Sequence, residues 1–199
     1  VPILLKSDES FILGGACNVA SNIKNLTKKV KYFGIVGDDK NAELVKKLLG
    51  SSEIDAHLIF SENAPTIKKT RFFSSSKQIL RVDEENKFSL NDSESLFKKI
   101  KKESENDEVD LFVISDYNKN TIHPKLKISE YINMEKTIID SKKTSLEIFK
   151  GAKLFKCNFL ELQNLLKNDL NQEDVMKELN QLRDFYNFEH VVTTLGPKG

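Results

Sequence analysis

Apolar residues recur along this chain in two rhythms. Short runs at residues 31–36, 109–114, 137–139, 153–155 and 190–194 have the length and the β-branched and aromatic content of buried strands. Between them the spacing opens to three and four. Val19, Ile23 and Leu26 share one helical face, as do Val175, Leu179, Leu182 and Phe185. Strand, helix, strand in this order predicts a parallel sheet covered by helices on both faces.

Two segments break the rhythm. Residues 1–13 read as extended. Residues 56–83 hold two strand-like runs, 66–73 and 78–82, around a Ser74-Ser75-Ser76-Lys77 turn, which is a hairpin signal. A small antiparallel sheet beside an α/β core suits a lid. The expected organisation is therefore one incomplete domain over residues 1–199, with lid segments at about 1–13 and 56–83 and an α/β core at about 14–55 and 84–199. The pattern reads as truncated at both ends: it opens inside an extended apolar stretch and closes on a glycine loop with no helix after it. Residues 98–108 are rich in charge and read as the solvated end of a helix.

Composition narrows the class. The 199 residues allow one sizeable core, and 39% hydrophobic with 31% charged residues is a globular balance. A net charge of +1, with the two signs interleaved, lacks the concentrated positive field that nucleic acid or a membrane surface requires. No apolar run approaches the roughly 20 residues that span a bilayer. Pro2 and the polar Lys6-Ser7-Asp8-Glu9 interrupt any signal-peptide core. Cys17 and Cys157 are too few for a disulfide framework, so a reducing cytoplasm is expected. His57, His123 and His190 have no metal-ligand spacing, and no nucleophile elbow or zinc motif occurs.

Candidate chemistry gathers where strands end. Gly14-Gly15-Ala16-Cys17-Asn18 stands where a strand is expected to give way to a helix. Glycines there permit either a plain turn or close approach of a ligand, and Asn18 offers a donor and an acceptor to hydroxyls. Val36-Gly37-Asp38-Asp39 reads as a turn whose acids cap the next helix. Ser115-Asp116-Tyr117-Asn118-Lys119 follows a buried strand, the position at which open parallel sheets bind ligands; an Asx turn is the structural alternative. Asn158-Phe-Leu-Glu161 has the spacing of a capping box, and its carboxylate equally suits the water shell of Mg²⁺. Thr194-Leu-Gly196-Pro-Lys-Gly199 is a glycine loop after a strand, without the Walker A pattern. Of 31 basic residues only Arg71, Arg81 and Arg183 are arginines, and two of them fall in the expected lid. A planar fork that grips phosphate and a cross-strand partner for glutamate both account for them.

The order of these motifs resembles ribokinase-like (PfkB) sugar kinases. Gly15-Ala-Cys-Asn18-Val-Ala20, followed by Gly37, resembles the amino-terminal signature, with Thr27 where that signature has Gly or Ser. Asn158-x-x-Glu161 matches the Asn-x-x-Glu motif, and Thr194-Leu-Gly196-x-x-Gly199 is similar to the ATP-side loop. Pro65-Thr-Ile-Lys-Lys-Thr-Arg71, Gln78-Ile-Leu-Arg81-Val-Asp83, Ser115-Asp-Tyr117 with Lys119, and Asp140-Ser-Lys142 resemble the subgroup acting on heptose 7-phosphate in ADP-heptose synthesis. Asn120 replaces that subgroup's glycine and Ser141 its proline.

The resemblance implies a three-layer α/β/α fold with a mostly parallel sheet and a small β lid. It implies an ATP- and Mg²⁺-dependent kinase that phosphorylates the anomeric hydroxyl of a heptose 7-phosphate for the lipopolysaccharide core. A kinase for another sugar or a nucleoside, and a non-catalytic sugar-binding module, are the rivals. Gly14, Gly15, Asn18, Arg81, Asp116 and Lys119 are expected on the sugar side. Lys142, Asn158, Glu161, Thr194, Gly196 and Gly199 are expected on the nucleotide side, Glu161 reaching the metal through water. The catalytic aspartate of the family's Gly-Ala-Gly-Asp motif has no counterpart in the sequence and is expected beyond Gly199, so these residues alone are expected to be inactive. The expected partners are a sugar phosphate and a second copy of the chain, joined through the lid, with neither nucleic acid nor membrane.

Overall fold

The apolar run at 31–36 forms the strand its pattern predicts, β1 (Lys31–Gly37), with its last four residues buried. The structure, a computed structural model, describes residues 7–27, 29–74, 77–167, 170 and 174–199. The chain divides into two compact units, Val1–Phe88 and Ser89–Gly199.

In the first unit, α1 (Gly15–Lys24) precedes β1, followed by α2 (Lys40–Ser51) and β2 (Asp55–Ser61). β1 and β2 pair in parallel, from Lys31 opposite Asp55 to Gly37 opposite Ser61. Cys17 and Ala20 of α1 and Leu49 of α2 join Ile54 in a buried cluster, with Tyr32, Val45 and Leu58 packed against it. The expected α1 face is thus corrected. Val19 and Ile23 are only half-buried, and Leu26 is 88% exposed because the helix stops at Lys24, before the turn that would carry Leu26 inward. Residues 7–14 form no strand, so α1 starts from irregular chain; residues 1–6 of the expected extended segment lie outside the described residues.

The hairpin is present as β3 (Lys68–Ser74) and β4 (Lys77–Glu84), antiparallel, with a bulge between Phe72 and Phe73. Residues 75 and 76 of its turn lie outside the described residues. Cross-strand charge supports it, since Lys69 reaches Asp83 at 2.7 Å and Glu85 at 3.0 Å. The segment at 56–83 also holds nearly all of β2, which pairs with β1 and not with the hairpin.

In the second unit, α3 (Leu90–Asn106) begins at a capping box of Ser89 and Asp92. Lys98 and Lys99 pair with Glu94 and Glu103 along its solvated length. Then come β5 (Phe112–Asp116), β6 (Thr137–Ser141), β7 (Leu154–Asn158), α4 (Phe159–Leu166), α5 (Val175–Tyr186) and β8 (His190–Thr194). The four strands form one parallel sheet in the order β5-β6-β7-β8. β5 starts later than its apolar run because its ladder with β6 begins at Phe112 opposite Thr137. The β5–β6 connection departs from the expected helix: it carries only 3-10 turns at Ile128–Glu130 and Met134–Lys136.

Ile139, Leu146, Phe149, Phe155 and Leu162 are fully buried in this unit. On α5, Val175, Leu179 and Leu182 are buried as predicted, whereas Phe185 is 66% exposed. Phe188, past the left-handed Asn187 that ends the helix, fills the core and stacks on Phe155 at 5.5 Å. The sheet face carrying Val113 and Val192 is the more open one. No helix among the described residues is long and apolar enough to cross a membrane.

Candidate active site

Parallel strands bring their carboxyl ends to one edge, and here that edge is polar. The β5–β6 ladder closes at Asp116 opposite Ser141, and the β7–β8 ladder at Asn158 opposite Thr194. Between them Asp140 lies opposite Lys156, whose Nζ is 3.2 Å from Asp140 Oδ2. Ser115, Asp116, Tyr117, Asp140, Lys142, Lys156 and Glu161 line a cleft of about 170 Å³ along this edge.

Asp116 is 4% exposed. Its Oδ1 accepts the amide of Asn118 at 2.9 Å, which is the expected Asx turn. Its Oδ2 accepts the hydroxyl of Ser141 at 3.0 Å and lies 3.5 Å from Lys143 Nζ. A carboxylate has about four acceptor positions, so roughly one remains for a ligand. In the following loop Lys119 is half-buried, and Asn118 and Asn120 adopt φ of +58° and +61°. Asparagine tolerates that left-handed region better than most residues, which explains how Asn120 stands in for glycine. Lys142 Nζ sits 4.8 Å from the centre of the Tyr117 ring, a cation–π contact at the cleft mouth.

Glu161 and Asn158 form the capping box that their spacing predicts. Glu161 Oε2 accepts the Asn158 amide at 2.9 Å, and Asn158 Oδ1 accepts the Glu161 amide at 2.8 Å. One carboxylate oxygen is occupied in this way while the residue still lines the cleft. Beyond Thr194 the chain turns through Gly196–Lys198, and the Leu195 amide closes the loop onto the carbonyl of Gly199. Thr194, Gly196 and Gly199 are exposed there. Cys157, next to Asn158, is a core residue. Burial pushes its thiol up to about 11, against the smaller opposite effect of its contact with Thr193.

The remaining candidates belong to the first unit. Gly14 precedes α1 without a side-chain cap, and Gly15 has φ +53°, a conformation that glycine adopts at little cost. Asn18 and Arg81 are exposed, and Arg81 Nε is 2.9 Å from Asp83 Oδ1. Gly37 has the structural role expected of it. A Cβ there would meet Thr66 N at 2.6 Å and Ala64 O at 2.7 Å, and its amide donates to Thr66 Oγ1 at 3.0 Å. Asp39 caps α2 through the Ala42 amide and also accepts the Thr66 amide at 2.8 Å.

Sequence reasoning missed Lys156, Ser141 and Lys143 as site residues. Lys156 left a signal, being a cation in a mostly apolar strand two residues before Asn158. Lys143 left none, because its contact with Asp116 depends on the β5–β6 register.

Comparison with known proteins agrees with the motifs. The model of the pfkB family carbohydrate kinases matches residues 2–199. The chain is 29% identical over 202 residues to the bifunctional protein HldE of Haemophilus influenzae (strain PittEE), covering 100% of this chain and 42% of that protein. It is 32% identical over 191 residues to HldE of Actinobacillus pleuropneumoniae serotype 5b (strain L20), covering 93% and 39%. The chain thus spans about two fifths of the length of these curated relatives. Among solved structures, phosphofructokinase-2 from Escherichia coli in complex with potassium superposes with a TM-score of 0.72 at 20% identity, over 94% of this chain and 62% of that one. At that identity the likeness speaks for the fold, an α/β architecture of ribokinase-like type. A family match over nearly every residue, on a shared fold with the motifs at its strand ends, makes the chain a member of the pfkB family of carbohydrate kinases.

Proposed function

We propose that this chain forms part of a kinase that uses ATP and Mg²⁺ to phosphorylate the anomeric hydroxyl of D-glycero-D-manno-heptose 7-phosphate, a step of ADP-heptose synthesis. The observation that carries this reading is the polar edge of the second unit. The ends of β5, β6 and β7, with Glu161 of α4, line a cleft there that combines lysines with carboxylates. Phosphoryl transfer asks the protein for positioning and charge neutralisation more than for covalent chemistry.

The residues present fit such a nucleotide. Lys142 and Lys156 supply cations, and Gly196, with open space beside its α-carbon, lets a phosphate approach the loop backbone. Among the described residues no three acidic, histidine or cysteine side chains gather into a metal cage. Mg²⁺ ordinarily keeps several waters and binds one or two carboxylates plus substrate phosphates, a role that suits Glu161 acting through water. Bound ATP and Mg²⁺ supply the phosphoryl group and the charge that offsets its oxygens. Lys142, Asn158, Glu161, Thr194, Gly196 and Gly199 orient the nucleotide. The resemblance assigns the sugar side to Asp116 and Lys119 in the second unit and to Gly14, Gly15, Asn18 and Arg81 in the first.

The test is kcat/KM of the full-length protein for heptose 7-phosphate, the unphosphorylated heptose and fructose 6-phosphate. The last sugar enters because Escherichia coli phosphofructokinase-2 was solved in complex with it. Charge-assisted hydrogen bonds to the distal phosphate, worth about 1.5–3 kcal/mol each, predict a preference of about tenfold to hundredfold per contact for heptose 7-phosphate. Equal values for the two heptoses remove the heptose assignment. Absence of turnover with every sugar favours a binding module.

A further inference from the structure

We infer that Ser141 and Lys143 are positioning residues for the sugar-side loop, acting through Asp116; this rests on the kinase reading above and deepens it. The three residues form a buried clasp. The Ser141 hydroxyl donates to Asp116 Oδ2 at 3.0 Å, and the Lys143 amide donates to Ser141 Oγ at 3.1 Å. Lys143 Nζ stands 3.5 Å from Asp116 Oδ2 and 3.5 Å from Asn118 Oδ1. The side chains of Lys143 and Asp116 are only 7% and 2% exposed.

Two opposite charges withdrawn from water to that degree hold each other in place, because either one left alone would be a buried, uncompensated charge. The clasp also reaches the loop directly. Asp116 Oδ1 holds the Asn118 amide, Lys143 approaches the Asn118 side chain, and the Lys142 amide donates to the Asp116 carbonyl at 3.0 Å. Asp116 and Tyr117, set by these contacts, line the cleft.

The experiment compares Lys143→Met, Lys143→Arg, Ser141→Ala and Ser141→Thr in the full-length protein. One readout is steady-state kinetics with ATP and heptose 7-phosphate. The other is hydrogen exchange of residues 117–120, which needs no turnover. Lys143→Met and Ser141→Ala should raise KM for the sugar about tenfold, leave KM for ATP within about twofold, and speed exchange of the loop about tenfold. Lys143→Arg and Ser141→Thr, which keep the charge and the hydroxyl, should stay within about threefold of wild type. Ser141→Ala leaves the ion pair intact, so it decides the matter if Lys143→Met fails to fold. Unchanged exchange overturns the clasp. Faster exchange with an unchanged sugar KM, or with both KM values raised alike, overturns its positioning role. A wild-type protein that phosphorylates no sugar defeats the kinase reading itself and takes the inference with it; the variants play no part in that outcome.

Discussion

Glu161 serves two ends with one carboxylate. The capping bond occupies Oε2, and the side chain still borders the cleft. Glu161→Gln keeps an acceptor for the Asn158 amide but removes the charge that would order the metal's water. In the full-length enzyme we expect kcat to fall by about tenfold or more with a melting temperature close to wild type. Unchanged kinetics with a lowered melting temperature would reduce Glu161 to a cap, a role worth about 0.5–2 kcal/mol. Asp39 offers a cleaner electrostatic test. Partial burial pushes its pKa up, but hydrogen bonds from Thr66, Ala42 and Asn41 outweigh that and hold it below the ordinary carboxylate value. A depressed pKa contributes stability that is present above the unfolded value, about 3.9, and lost as pH falls through the folded one. Asp39→Ala should therefore cost about 1–2 kcal/mol at neutral pH, with the gap to wild type closing below about pH 4 in denaturant titrations.

Among the elements, local signals were legible and end points were not. The strand at 190–194 and the capping box at Asn158 and Glu161 follow from short-range pattern and stand where the sequence puts them. Leu26 was misread because periodicity continues past the residue at which α1 stops, and Phe185, still inside α5, because Phe188 beyond the helix end takes the core position instead. The Asp116 clasp was invisible because only strand register joins its halves. Register also sharpens the view of the hairpin. Arg71 lies directly opposite Arg81, an arrangement of like charges that costs stability unless something offsets it. Asp83 offsets part of it at Arg81, and a sugar phosphate would offset more. Arg81→Ala and Lys119→Ala should thus erode the preference for heptose 7-phosphate over heptose by about tenfold each, while changing turnover of the unphosphorylated sugar little. Parallel loss with both sugars would contradict a phosphate-gripping role.

For the whole molecule, the hairpin raises the question of assembly. Phe72, opposite Leu80, and Val82, opposite Thr70, crowd one face with apolar surface, all of it exposed in the single chain. Exposed apolar strands invite pairing unless covered, and a second copy is the proposed cover. The full-length protein should sediment as a dimer, and the double substitution Phe72→Asp with Leu80→Asp should yield monomers; a wild-type monomer at high concentration would refute this. The ladders close at Asp116 with Ser141 and at Asn158 with Thr194, so the loops that follow owe little to the sheet's own bonding. Inheritance can rewrite such loops cheaply. Libraries randomised at 117–120 should return folded proteins with altered acceptor choice far more often than libraries at 137–141, making this rim the place where one ancestral scaffold diversifies its substrates.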